Sequence, residues 1–287
     1  RQDFLNVLVN AVEENSNISL HTGLQVLGFT QNDQGANLIT ADATYQGDLL
    51  IGADGIHSVI RAGLWGEAKP RFTGNIAWRA LVPAKRLPAD LILPMSTAWW
   101  GPEKHFVHYY VRSGELVNCV CVVEKKGWEV ESWSERGDYT EFKSDFTGWH
   151  SDIQQLIDHA DRGSLFKWAL YDREPMAKWG KGRVTLLGDA CHPTLPFMAQ
   201  GAAMAIEDAA VLAGCLSGGS EISVALARYE DLRRDRTASI QRGSRRNATV
   251  FHLSGVKAWL RNQVLKTAQN RTMDGLFNYN ALGVAGD

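Results

Sequence analysis

One stretch of the chain, residues 182–208, concentrates side chains that could bind a ligand. Its apolar run at 184–187 predicts a buried strand, which delivers the carboxylate of Asp189 to the strand's carboxyl end. A proline-broken loop follows, and then an alanine-rich segment that predicts a helix over 202–213. Ligands of open α/β sheets bind outside the carboxyl ends of the strands, and a helix N-terminus favours negative charge. The stretch therefore predicts a corner that holds a polar or anionic ligand.

A second predicted strand, over 49–55, also ends near a carboxylate, that of Asp54. A short helix carrying Arg61 is predicted to follow over 57–64. Asp54 could bind a ligand, but an aspartate in a glycine-flanked turn can also bond its own backbone, and both interpretations stay open. The preceding residues predict a helix over 4–12 and two strand runs, 18–30 and 36–43, joined by a hairpin turn at 32–35.

Between residues 70 and 170, alternating runs rich in tryptophan predict an antiparallel sheet. The predicted strands cover 71–83, 97–100, 105–112, 115–124 and 165–171, and the predicted short helices cover 139–146 and 152–159. His105 and Tyr109 lie four residues apart on one of these strands, so the strand period of two places both on one face. A histidine there could remove or share a phenol proton, although histidine and aromatic side chains of a two-faced sheet often only pack.

The composition excludes several classes of function. A net charge of -2 and a pI near 6.5 exclude a strongly basic nucleic-acid binder, and no apolar run reaches the roughly 18 residues of a membrane span. The four cysteines have neither disulfide-scaffold nor zinc-site spacing, which favours a reducing cytoplasm and predicts no metal site. Acidic residues interleave with the arginine-rich run at 228–246, which predicts a solvated helix with internal ion pairs. Residues from 278 onward are weakly patterned and are expected to fray.

Two separated motifs carry a resemblance to a known family. They read GADGIHSVIR at 52–61 and GRVTLLGDACHPTLPFMAQGAAMAIED at 182–208, with the predicted sheet between them. In this order the chain resembles the FAD-dependent aromatic hydroxylases, which are single-component flavoprotein monooxygenases, and most closely the salicylate and 3-hydroxybenzoate hydroxylase group. The family's opening G-x-G-x-x-G turn is not in the sequence. We therefore expect an N-terminally incomplete chain that lacks the cradle for the FAD pyrophosphate.

The resemblance implies an α/β fold built on an incomplete, Rossmann-like FAD-binding domain. This domain is expected in two parts, 1–69 and 171–247, of which the first lacks its N-terminal βαβ unit. A substrate domain with an antiparallel sheet is expected to be inserted at 70–170. A C-terminal helical segment is expected at 248–287.

The resemblance also implies roles for individual residues. Those expected to bind FAD, or FAD and the nicotinamide nucleotide, are Arg1, Asp54, Asp189, Gly201 and Ala202. Those expected to contact or border the reacting ring are His105, Tyr109, Pro193 and Gln200. Asp189 would accept hydrogen bonds from ribityl hydroxyls, and the helix start would face the flavin ring, whose reduced form is negatively charged. His192 could border the flavin or tie its own loop together, and both interpretations stay open.

The activity that the resemblance implies is hydroxylation of a phenolic aromatic acid of the salicylate or hydroxybenzoate type. NADH or NADPH would reduce FAD, and O2 would add to form a flavin C4a-hydroperoxide that transfers OH to the ring. Two alternatives stay open: a catalytically silent fragment without the pyrophosphate cradle, and a related flavin epoxidase, halogenase or polyketide hydroxylase. The expected partners are a small aromatic acid and O2, with no nucleic acid and no membrane, in a monomer or homodimer.

Overall fold

A computed structural model of the chain describes residues 2–125, 127–132, 134–267 and 274–286; Arg1 lies outside the described residues. The strands are β1 Val26–Asn32, β2 Gly35–Thr40, β3 Thr44–Gly47, β4 Leu50–Gly52, β5 Arg71–Pro83, β6 Thr97–Gly101, β7 Lys104–Val111, β8 Leu116–Glu124, β9 Phe166–Asp172 and β10 Val184–Leu186. The helices are α1 Gln2–Glu13, α2 Val59–Trp65, α3 Tyr139–Asp145, α4 Ser151–Asp158, α5 Gly201–Ser217, α6 Ile222–Phe251, α7 Gly255–Thr267, α8 Asp274–Phe277 and α9 Ala281–Gly286.

A two-stranded sheet pairs β4 with β10 in parallel, with Leu186 opposite Gly52. Val184 and Leu186 are fully buried, as the apolar run predicts. Only glycine fits at position 52, because a Cβ there would lie 2.8 Å from the Cβ of Ile60 and 2.9 Å from a methyl group of Leu186. The pairing brings the carboxyl ends of both strands to one edge, so the two acid-bearing turns begin side by side.

A three-stranded antiparallel sheet has the order β1-β2-β3. Strands β1 and β2 form the predicted hairpin, which turns between Asn32 and Gly35. The prediction that the first strand starts at residue 18 is wrong, because the strand begins only at Val26. The sequence pattern does not predict β3, because all of its residues are exposed and no apolar alternation marks it.

A five-stranded antiparallel sheet has the order β6-β7-β8-β5-β9. The predicted strands and short helices of this region all exist, with ends within about one residue of those expected. On one face, Trp78 and Phe106 share a buried cluster with side chains of α3 and α4. On the other face, Ala77 and Val122 share a cluster with Phe197 of the loop after β10. The sheet therefore faces its own helices on one side and the predicted ligand corner on the other. The boundaries of the domains stay a prediction.

The arginine-rich run is helical, as predicted, and lies within α6. The expected internal ion pair exists between Arg234 and Glu230, at 3.2 Å. Arg233 departs from the expected solvated face, because it is fully buried and pairs with acidic residues of α5. Arg233 lies four residues after the buried Tyr229, and therefore on the face that α6 turns to the core.

The C-terminal residues form two short helices, α8 and α9. The expectation that the chain frays from residue 278 is wrong for Ala281–Gly286, because Ala281 packs against the buried cluster that includes α5 and α6. The ring of Tyr279 lies 4.0 Å from the guanidinium of Arg236 and 5.1 Å from that of Arg233. Within the parts of the chain that are described, none of the helices has both the length and the apolar character to cross a membrane.

Candidate functional site

The turn after β4 places Asp54 at the start of α2. Its carboxylate accepts a hydrogen bond from the Ser58 hydroxyl at 2.5 Å and from the backbone N–H groups of Val59 and Ile60 at 2.7 and 3.2 Å. These bonds satisfy the unpaired donors of the helix N-terminus. Asp54 therefore bonds its own backbone, as one of the two interpretations held. Its role toward FAD or a nicotinamide nucleotide stays a prediction.

Arg61 on α2 joins the two strand-end turns. Its Nη1 donates to the carbonyl oxygen of Ala190 at 2.8 Å, and its Nη2 donates to that of Ile56 at 2.6 Å. Burial, and the charge of nearby Arg173, lower the pKa of Arg61 to about 10. The guanidinium therefore remains charged at neutral pH while it holds the turn after β10 against α2.

The turn after β10 exposes Asp189 between buried Gly188 and Ala190. Gly188 has a φ of +63°, and a Cβ there would lie 3.2 Å from the Cβ of Ala205 on α5. A glycine at this position lets the chain turn sharply while α5 packs close behind it. Asp189 thus sits at the exposed edge that the sequence predicts, near the carboxyl end of the parallel strand pair.

A buried ionic network that the sequence does not predict lies beneath this turn, and Asp208 of α5 is its centre. One carboxylate oxygen of Asp208 accepts from the backbone N–H of Gly188 at 3.0 Å and from Nε2 of His192 at 2.5 Å. The other accepts from Nε of Arg233 at 2.8 Å. Burial would raise the pKa of Asp208, but His192 and Arg233 outweigh it and hold that pKa below its usual range.

This network decides part of the question about His192. The side chain is buried and ties the loop to α5 through Asp208, which is the loop-binding interpretation. Its Nδ1 atom, and Oγ1 of Thr194, are buried without a hydrogen-bond partner among the described residues. The i, i+16 separation of His192 and Asp208 gives no periodic signal, so sequence reasoning could have found only the acidic residue itself.

The loop after His192 ends at the N-terminus of α5. Pro193 is buried, and its carbonyl oxygen accepts from Nε2 of Gln241 at 3.0 Å. Gln200 is buried at the helix N-cap, and its side chain makes no capping bond to the described residues. The first backbone N–H groups, at Gly201 and Ala202, therefore keep their capacity to donate to a ligand.

The facing sheet turns His105 toward this loop. The imidazole of His105 is buried, and its ring centroid lies 5.1 Å from that of Phe197. Its Nδ1 lies 2.9 Å from Nε2 of His252, which follows α6. Burial first, and His252 second, lower the pKa of His105 to about 3. His105 is therefore neutral at physiological pH. His252 is a site residue that the sequence does not predict.

Tyr109 lies on the same face of β7 as His105, opposite the buried Asn118 of β8, and is 36% exposed. His108 and Tyr110 take the other face, as the period of two predicts. There, Nε2 of His108 accepts from the Trp99 indole at 3.0 Å. The face with His105 and Tyr109 therefore combines a buried imidazole near the loop after β10 with a more open phenol further along the strand.

The predicted site residues thus fall into groups. The strand pairing brings the turns of Asp54 and Asp189 together, and Phe197 connects the loop of Pro193 and Gln200 to His105. Arg1 lies outside the described residues. An exposed carboxylate and, within the described part of the chain, a helix N-terminus without a side-chain cap and polar loop atoms without a partner are a donor and acceptor set that fits the ribityl chain and ring of FAD.

Comparison with known proteins identifies the family. The FAD binding domain family matches residues 1–244. The chain belongs to this family. It is 40% identical over 243 residues to the 3-amino-4-hydroxybenzoate 2-monooxygenase of Streptomyces platensis, covering 83% of this chain and 60% of that protein. It is also 40% identical over 225 residues to the 3-hydroxybenzoate 6-hydroxylase of Klebsiella oxytoca, covering 78% of this chain and 55% of that protein.

A salicylate hydroxylase in complex with its substrate has a similar structure. The TM-score is 0.82 at 29% identity, with 99% of this chain and 74% of that chain covered. The predicted membership of the FAD-dependent aromatic hydroxylases and the predicted α/β fold with an antiparallel sheet are confirmed. The chain spans about 60% of the length of the Streptomyces relative that it matches.

Proposed function

We propose that the protein is an FAD-dependent monooxygenase that hydroxylates a phenolic aromatic acid of the hydroxybenzoate or salicylate type. The observation that supports this most directly is the contact between His105 and Phe197. It joins the face of the sheet that carries a neutral, buried base to the loop that leads into the α5 N-terminus. A phenol bound between them would meet a proton acceptor on one side and the cofactor corner on the other.

The proposed FAD site uses the edge of the parallel strand pair. Asp189 accepts hydrogen bonds from ribityl hydroxyls, and the N–H groups of Gly201 and Ala202 donate to the flavin ring, where the helix N-terminus stabilises negative charge. Asp54 contributes from the neighbouring turn, although its carboxylate also bonds α2. FAD, when bound, supplies the electron transfer and oxygen activation that no side chain provides.

The proposed substrate site uses the sheet. His105 accepts the proton of the phenol hydroxyl, which raises the electron density of the ring, and Tyr109 orients the acid from the more open end of the same face. Pro193 and Gln200 border the ring from the cofactor side and help to exclude water. A small polar acid suits a face with a histidine and a tyrosine better than the large apolar substrate of a polyketide hydroxylase.

The overall reaction takes two electrons from NADH or NADPH and uses one O2. One oxygen atom enters the ring as a hydroxyl group and the other leaves as water. The four cysteines are buried and carry free thiols, which supports a reducing cytoplasm as the place of action.

The test is to supply the protein with FAD, NADH or NADPH, and a panel of hydroxybenzoates, salicylate and aminohydroxybenzoates. We expect one or more phenolic acids to stimulate NAD(P)H oxidation and to yield a product heavier by one oxygen atom. Benzoate, which lacks the phenol, is the matched control and should give no product. Loss of flavin on desalting, together with no stimulation by any phenol, would support the silent-fragment alternative, and flavin that is retained without stimulation by any phenol would contradict the proposal.

A further inference from the structure

Three side chains form a continuous hydrogen-bonded chain from the sheet face to the surface. Nδ1 of His105 lies 2.9 Å from Nε2 of His252, and Nδ1 of His252 lies 2.7 Å from Oε1 of Glu124. The two histidines are buried, whereas the side chain of Glu124 is 48% exposed. The three residues come from β7, β8 and the end of α6, so the fold rather than local sequence brings them together.

The carboxylate at the outer end fixes the proton positions along the chain. An ionised carboxylate can only accept, so Nδ1 of His252 donates to Glu124. Nε2 of neutral His252 is then an acceptor, and Nδ1 of His105 donates to it. Neutral His105 consequently carries its lone pair on Nε2. The chain is therefore poised to take up a proton at Nε2 of His105.

The surroundings make His105 a poor place for a proton to stay. Its neighbours include the rings of Phe197 and Phe251, and burial lowers its pKa to about 3. The next member is better placed to carry positive charge, because His252 directly follows the C-terminus of α6, where the helix dipole favours cations. Burial lowers the pKa of His252, while the carboxylates of Glu124 and then Glu103 oppose this by favouring its charged form.

We propose that His105, His252 and Glu124 form a proton relay that carries the phenol proton of the substrate to solvent; this rests on the proposed function. The phenol oxygen loses its proton to Nε2 of His105 as Nδ1–H of His105 passes to Nε2 of His252. Nδ1–H of His252 passes in turn to the carboxylate of Glu124, which releases a proton to water. Each imidazole gains one proton at Nε2 and loses one from Nδ1, so both rings return to neutrality with exchanged tautomers, and the phenolate remains in the site.

Backbone hydrogen bonds hold the outer part of this relay in place. The N–H of Glu124 donates to the carbonyl oxygen of Glu103 at 2.8 Å, and the N–H of Glu103 donates to that of His252 at 3.4 Å. The positions of Glu124 and His252 thus depend on the turn between β6 and β7 and on the end of α6 together. His252 also lies beyond residues 1–244, the part of the chain that the family match covers.

A first experiment tests the relay without any reaction. The chain is labelled with 15N at histidine, and the tautomers are assigned by NMR at neutral pH, without FAD or substrate. We expect both His105 and His252 to carry the proton on Nδ1, and Glu124→Leu to populate the Nε2–H tautomer of His252. A His105 protonated on Nε2 in the wild-type protein would overturn the relay, because the ring would then have no lone pair to offer.

A second experiment measures proton release. The FAD-loaded protein is mixed with 3-hydroxybenzoate in weak buffer, and a pH indicator follows the proton in a stopped-flow instrument. His252→Gln retains both hydrogen-bonding partners, because an amide oxygen can accept and an amide N–H can donate, but it cannot exchange protons in the same way. We expect release to slow by at least about tenfold, because a positioned acid–base group typically contributes about 10²- to 10⁴-fold, with the affinity for 3-hydroxybenzoate unchanged.

Two further variants, one in the relay and one outside it, complete the test. Glu124→Gln changes a partly exposed side chain that should not impair folding, and it should slow release in the same way. His159→Gln changes a histidine that also follows a helix, α4, but lies outside the relay, and it should release protons like the wild type. Wild-type release rates in both relay variants would overturn the proposal. A wild type that binds no phenol would instead contradict the proposed function, while the tautomer measurement would still decide the relay.

Discussion

Arg61 donates from Nη1 to the carbonyl oxygen of Ala190 across 2.8 Å, although 129 residues separate the two. This bond connects the helix after β4 to the turn after β10, which are the two places where the parallel strands end. The guanidinium also bonds the carbonyl oxygen of Ile56. A charged, buried side chain therefore fixes the relative position of the Asp54 and Asp189 turns.

Arg61→Met should destabilise the protein by about 2–4 kcal/mol, because the buried carbonyl oxygen of Ala190 loses its charged donor and the partly buried carbonyl oxygen of Ile56 keeps only the one from Arg173. Hydrogen bonds to charged groups contribute about 1.5–3 kcal/mol each. The free energy of unfolding from urea titration measures the effect. Arg86→Met is the matched control, because Arg86 is exposed, and it should change stability by no more than about 0.5 kcal/mol. Equal stabilities of the two variants would contradict the role assigned to Arg61.

Asp208→Asn should destabilise the protein by about 3 kcal/mol or more. The fully buried guanidinium of Arg233 would lose the charge of Asp208 and keep only that of Glu207. The double variant Asp208→Asn with Arg233→Met should lose less than the sum of the two single variants. Asp231→Asn, at a side chain that is 71% exposed, is the control. Strict additivity of the two single changes in urea unfolding would argue against a coupled network.

Gly52→Ala should destabilise the protein by about 1–3 kcal/mol, because the new methyl group would overlap Ile60 and Leu186. Gly28→Ala is the matched control: it also lies in a strand, and a Cβ there meets nothing within 4 Å. It should be neutral or slightly stabilising, since alanine lowers the entropy of the unfolded chain. Thermal unfolding of both variants under one condition compares them, and a stable Gly52→Ala protein would show that α2 can move away.

The sequence predicts most of the elements because their residue composition marks them. The long strands of the large sheet and the 184–187 run are segments rich in apolar and β-branched residues, so their existence and nearly their ends follow from the sequence alone. Strand β3 shows where this reasoning stops. Its residues are all exposed, so it forms by backbone pairing with β2 and leaves no periodic trace.

The candidate site is less predictable, because its key contacts join residues that are far apart in the chain. The motifs locate the turns of Asp54 and Asp189, but nothing near His252 indicates that it meets His105, which lies 147 residues earlier. For Arg233 the local sequence indicates the wrong environment. Its sequence neighbours are charged at helical spacing, which is typical of a solvated face, and only the packing of α6 on α5 makes it a buried partner of Asp208.

Acid should destabilise the folded protein partly through His105. Its pKa is about 3 in the folded state because burial, and then His252, disfavour the charged ring, whereas a free histidine titrates near pH 6.5. Between these values the unfolded state binds a proton that the folded state does not. The free energy of unfolding therefore falls as the pH decreases from 6.5 towards 3, by up to about 1.4 kcal/mol per pH unit, and is unaffected above that window.

Urea unfolding at a series of pH values tests this contribution. His105→Gln removes the titrating ring, so its stability should depend less steeply on pH below 6.5 than that of the wild type. His159→Gln, which changes a histidine at the end of α4, should keep the wild-type slope. Parallel curves of stability against pH for His105→Gln and the wild type would contradict this, because they would show that the folded state binds a proton at His105 below about pH 6.5 just as the unfolded state does.

Asp189→Asn should weaken FAD binding by about tenfold or more, because a carboxylate that accepts ribityl hydroxyls contributes about 1.5–3 kcal/mol per charged hydrogen bond. The substitution keeps the size of the side chain, and Asp189 lies at an exposed turn, so the fold should persist. Quenching of flavin fluorescence on titration with the protein gives the dissociation constant. Asp231→Asn, on the exposed side of α6, should bind FAD like the wild type and corrects for the change in net charge. If Asp189→Asn also binds FAD like the wild type, the ribityl chain is held elsewhere, and Asp54 in the neighbouring turn is the residue to vary next.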